Sequence, residues 1–147
     1  MAQIAQLTGV LAACVNALAA LVGAWRWWQV ETSRTFWVLC RAGQVAAIAQ
    51  ALVAGVLALA GFVPADGLYW LYALLPVAVS FVAEQFRLTA AQTVLDARGL
   101  EDAHAVGGLD ETGQRSVVVA IVRREMGTMA AAALVVAFLC LRAAGTA

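Results

Sequence analysis

Glu84 and Arg87 are the residues best placed to do chemistry, because both are ionisable and both close an otherwise apolar run. Three residues apart on a helix, a carboxylate and a guanidinium share a face and can pair. At about 100° per residue, Tyr69, Tyr72, Pro76, Ser80, Glu84, Arg87, Ala91 and Arg98 fall on one side of a helix running unbroken through Tyr69–Arg98. Ionisable groups inside or at the edge of hydrocarbon are costly without partners or water, so this face is the first place to look for function. Arg41 and Gln44 near the start of the second apolar run, and Arg124 and Glu125 at the start of the last, stand at the same depth. Arginine exceeds carboxylate in that set, which suits a pocket for a phosphate or carboxylate held by guanidinium forks, with Ser80 adding a hydroxyl. The competing reading is a ring of salt bridges that only sets depth and orientation. From sequence, Glu84 has two candidate partners on other spans, Arg41 and Arg124.

Enzyme chemistry finds less support. No nucleophile–base pair is recognisable, His104 stands alone in a polar stretch, and Cys14, Cys40 and Cys140 are widely spaced with no C-x-x-C. No catalytic residue, metal or cofactor is therefore assigned, heme included, since no span supplies a histidine.

The elements that must position this face are membrane spans. Of 147 residues, 64% are apolar and 12% charged, with mean hydropathy +0.87, whereas soluble domains sit nearer 45–50% apolar and about 25% charged. Four runs are long enough to cross a bilayer core of roughly 30 Å, at about 20 helical residues each: residues 8–28, 36–61, 68–88 and 117–141. The expected fold is an all-α integral membrane protein, a single-domain antiparallel bundle of four transmembrane helices over residues 1–147. Spans three and four are expected to extend into the cytoplasm through 89–116.

Met1–Leu7 holds no Lys or Arg, so the first run reads as a retained span rather than a signal peptide. Asn16 and Gln50 lie deep within spans one and two and are expected to make helix-packing hydrogen bonds, beside small residues that let backbones approach. The stretch Trp25–Trp37 carries four tryptophans and two arginines, an interfacial belt in which Thr32 or Ser33 would cap span two. Phe62–Gly67 is a short turn, Pro76 should kink span three, and Gly99 should stop its continuation.

Arginine placement gives an orientation. Eight of the nine arginines lie in or beside the first and third connections, and only Arg142 lies on the other side. The positive-inside bias then puts connections 29–35 and 89–116 in the cytoplasm and both termini outside. The nine basic residues include no lysine, which reads as bacterial coding bias, and the expected location is a bacterial cytoplasmic (inner) membrane. With zero net charge and no basic arm, nucleic acid is not an expected partner. Membrane lipids are, together with copies of the chain or a partner subunit.

In size and four-span outline the chain resembles the membrane-associated eicosanoid/glutathione-metabolising family, whose members place an Arg-rich site at the membrane edge between subunits. Span two here begins Arg34-Thr-Phe-Trp-Val-Leu-Cys-Arg41-Ala, without that family's Glu-Arg…Asn pattern, so no residue role is carried over. The leading expectation is a small oligomeric transport, channel or anionic lipid- or solute-binding component. An accessory subunit of a larger membrane complex, or a membrane enzyme acting on a lipophilic substrate, are the alternatives.

Overall fold

A computed structural model describes residues 1–147, apart from the side chain of Ala103. The described chain is helical: α1 (Ala2–Gln29), α2 (Arg34–Leu59), α3 (Tyr69–Leu88), α4 (Ala90–Ala97), α5 (Ala103–Gly107) and α6 (Glu111–Thr146). Helices α1, α2, α3 and α6 are each long and apolar enough to cross a membrane. This is the architecture of a membrane-embedded protein.

The packing is inverted relative to a soluble bundle. Ala12, Ala19, Ala47, Ala73 and Ala143 fill the interior, while Leu21, Leu52, Val56 and Phe81 point outward at 65–69% exposure. Large apolar groups gain nothing by leaving lipid for another helix. Association therefore rests on close van der Waals approach, which small residues permit. Gly9 shows the mechanism: a Cβ there would lie 3.0 Å from the Cys140 carbonyl oxygen and the Ala144 Cβ across α6. Helix α1 packs most extensively on α6, α6 also packs on α3, and α2 completes the ring between α1 and α3.

Three buried clusters stack along the bundle. One joins Ala19, Phe36, Ala83 and Met126 near the arginine-rich end, one joins Ala12, Ala47 and Val136 at mid-height, and one joins Ala5, Leu57, Tyr69 and Ala143 at the far end. At that far end Phe62, Tyr69 and Trp70 meet edge to face, and the Arg142 guanidinium lies 5.5 Å from the centre of the Tyr72 ring.

Helix ends obey local chemistry. Ser33 caps α2 by accepting from the Phe36 N–H at 3.3 Å, and Asp110 caps α6 by accepting from the Gly113 N–H at 2.9 Å. The chain leaves α2 through Gly61 and α4 through Gly99, both with positive φ, and the following amides reach back to Leu57 and Leu95. These are Schellman closures, for which glycine has no Cβ penalty. The end of α1 uses the same closure with Val30 at φ 56°, an uncommon conformation for a β-branched residue.

The structure corrects one expectation. The helix from Tyr69 does not run unbroken to Arg98; α3 stops at Leu88 and α4 starts at Ala90. The Thr89 hydroxyl donates back to the Gln85 and Phe86 carbonyls at 3.2 and 3.3 Å, a local competition that bends helices. Helix α3 does continue through Pro76. Within α4, Val94 and Leu95 pack on Val117 of α6, and just after it Arg98 donates to the Ser116 hydroxyl and carbonyl at 2.6 and 3.1 Å. The α4–α5 segment therefore lies against the start of α6.

Candidate functional site: an arginine–glutamate cluster between α2 and α3

Glu84 ends the apolar part of α3 and faces α2, where Arg41 and Gln44 follow one another along the helix. The Glu84 carboxylate is almost fully committed. Its Oε1 accepts from Arg41 Nη1 and Gln44 Nε2, both at 2.8 Å. Its Oε2 accepts from Arg87 Nε at 2.8 Å and from Arg41 Nη2 at 3.4 Å. Arg41 Nη1 also donates to Gln44 Oε1 at 2.7 Å, which closes a small ring of polar contacts.

Local structure dictates this arrangement. Arg41 and Gln44 are three apart on α2, and Glu84 and Arg87 three apart on α3, so each helix presents a polar pair on one face. Phe36 and Cys40 of α2 and Ala83 of α3 are buried in one cluster, which sets the register bringing the two pairs together. Trp37, one turn before Arg41, lies under the Arg87 guanidinium at 5.6 Å from the ring centre. Trp37 was readable from sequence only as part of the belt; its four-residue spacing from Arg41 was the available signal.

The side chain of Glu84 is 19% exposed, that of Arg87 26% and that of Arg41 55%. One carboxylate against two guanidiniums leaves one net positive charge. Its most accessible part is Arg41, on the outside of the bundle.

Behind the cluster lies a cavity of about 10 Å³ among Asn16, Cys40, Gln44 and Ser80, room for about one water. Asn16 forms one wall and donates its amide to the Ala12 carbonyl at 2.9 Å and across to the Gly43 carbonyl at 3.1 Å. Gly43 is required there, since a Cβ would lie 2.5 Å from Asn16 Oδ1.

Four of the seven residues proposed for the polar site, Arg41, Gln44, Glu84 and Arg87, are thus joined by hydrogen bonds, and Ser80 lines the adjoining cavity. Arg124 and Glu125 are not joined to them. Neither has an ion pair or side-chain hydrogen bond among the described residues, and Arg124 is exposed. Of the two helix-packing residues, Asn16 makes its inter-helix bond. Gln50 is 2% exposed, yet neither its amide nitrogen nor its oxygen has a partner among the described residues. No group of three or more His, Cys, Asp or Glu converges among the described residues.

Comparison with protein-family models, curated proteins and solved structures finds no match.

Proposed function

We propose that this protein is a non-enzymatic, inner-membrane component that binds an anionic group, a phosphate or carboxylate, at the Arg41 edge of the Arg41–Gln44–Glu84–Arg87 cluster. The observation that carries this reading is the charge count: two guanidiniums share one carboxylate, and the more exposed of them faces outward. Within this reading the four spans run antiparallel, connections 29–35 and 89–116 are cytoplasmic, and the cluster sits at inner-leaflet headgroup depth, where arginine forks meet anionic oxygens. The size of the internal cavity favours binding over conduction by one chain. A transport path would have to run between copies of the chain or against a partner subunit.

The saturated hydrogen bonding of Glu84 favours a second reading, in which the cluster is only a clamp between α2 and α3 in an accessory subunit. Charge variants separate the two. Purified protein in nanodiscs is titrated with short-chain phosphatidylglycerol in one arm and with inorganic phosphate or succinate in the other, which distinguishes a lipid headgroup from a free anion. Arg41→Gln weakens binding by about tenfold, the scale of one lost charge-assisted contact. Glu84→Gln tightens it, because the local charge rises from one to two. Unchanged anion affinity in both variants, alongside reduced stability, would leave the clamp as the cluster's whole role.

A further inference from the structure

On the edge of the bundle opposite α2–α3, helices α1 and α6 border an apolar furrow of about 480 Å³. It exists because Ala17, Ala24, Gly127 and Ala131 carry nothing beyond Cβ, between the longer Leu21 and Leu134. The furrow is not open along the whole span. On α1 it runs from Ala17 to Trp27, about 15 Å at 1.5 Å per residue, which is one leaflet of a hydrocarbon core of roughly 30 Å. Toward the far end the gap disappears, where Gly9 brings α1 against the α6 backbone.

The interfacial end of the furrow is charged. Trp27 closes it, with Nε1 2.9 Å from where a Gly127 Cβ would be, and the Arg123 guanidinium stands 5.1 Å from the centre of the Trp27 ring. Arg123 is one helical turn before Gly127, so it overhangs the mouth. Elsewhere on this side, Arg26 is neutralised by Glu31 at 2.7 Å, and Arg41 and Arg87 share Glu84. Arg123 has no carboxylate within ion-pair distance among the described residues.

We infer that this furrow is a binding site for one anionic phospholipid, with an acyl chain lying between α1 and α6 and the phosphate on Arg123. Two features select this occupant. The furrow is one leaflet deep, which matches the reach of a single acyl chain from the headgroup layer. Arg123, like Arg124 without a carboxylate partner among the described residues, is the one of the two that stacks on Trp27 at the furrow mouth, and basic pockets between transmembrane helices hold anionic headgroups in this way. The site is separate from Arg41 and does not rest on the function proposed for that cluster.

The test is native mass spectrometry of the full-length protein in detergent with added dioleoylphosphatidylglycerol or dioleoylphosphatidylcholine. Wild type retains one phosphatidylglycerol in preference to phosphatidylcholine by about fivefold, the scale of one interfacial arginine. Ala131→Phe and, independently, Ala24→Phe fill the furrow from exposed positions on its two walls and release the bound lipid, with helix content checked by circular dichroism. Arg123→Gln abolishes the headgroup preference. Arg41→Gln leaves this lipid in place. Retention at the wild-type level in both furrow-filling variants overturns the inference. So does loss of lipid only in Arg41→Gln, or a wild-type dimer that Ala131→Phe dissociates, because the furrow would then belong to a second copy.

Discussion

Replacing Glu84 by Gln keeps the shape of the cluster and removes its only carboxylate. Glu84 accepts three hydrogen bonds at 2.8 Å and a fourth at 3.4 Å, all from arginine or glutamine donors. Bonds to charged groups contribute about 1.5–3 kcal/mol each when shielded. The Arg41 pair is not shielded, because Arg41 is 55% exposed, and solvent screening reduces such a pair to about 0.5 kcal/mol. The Arg87 pair, at 26% and 19% exposure, retains about 1.5 kcal/mol. A Gln at 84 still accepts neutral bonds, so the expected loss is about 2 kcal/mol, roughly 30-fold in the unfolding equilibrium. The assay is SDS-driven unfolding in bicelles followed by circular dichroism, run as double-mutant cycles with Arg41→Gln and Arg87→Gln. The 84–87 coupling should exceed the 84–41 coupling. A Glu84–Arg87 coupling below about 0.3 kcal/mol, or the reverse order, would refute the assignment of shielding.

The same unfolding assay checks four further expectations. Gly43→Ala drives a methyl against Asn16 Oδ1 and should destabilise by about 2–3 kcal/mol. Gly55→Ala, also within α2 but in open space, should stabilise by about 0.5–1 kcal/mol. Gln50→Leu removes a buried amide that has no partner among the described residues and should raise stability by about 1 kcal/mol; a loss instead would mean that the amide has a role in the membrane. Val30→Gly relieves the left-handed conformation at the end of α1 and should gain up to about 1 kcal/mol, since left-handed strain of about 1–2 kcal/mol is partly offset by unfolded-chain entropy.

The four long apolar helices were legible in the sequence, with ends within six residues of those observed, because hydrocarbon imposes a length and a composition that nothing else in a small protein requires. The cap at Ser33 and the stop at Gly99 were legible too, since both act on their own neighbours. Which side of each span faces inward was far less legible. With apolar residues all round, the useful signal is residue size, with alanines and glycines inward and Leu, Val and Phe outward. The interruption at Thr89 leaves no mark in the hydropathy pattern, because it comes from one hydroxyl competing for backbone carbonyls inside an otherwise helical stretch.

The residue types of the polar site and the pairing of Glu84 with Arg87 were therefore decided by sequence alone, through hydropathy and helical spacing. The choice of Arg41 over Arg124 as the second partner of Glu84 was not. Arg123, Arg124 and Glu125 are consecutive and spread over more than half a turn, so spacing cannot say which of them faces α3. Burial of Met126, Met129, Ala130 and Ala133 fixes the rotation of α6, which sets Arg123 over Trp27 and leaves Arg124 outside. The furrow arises in the same way: its walls belong to helices at opposite ends of the chain, and only their packing makes small residues on each into a single groove.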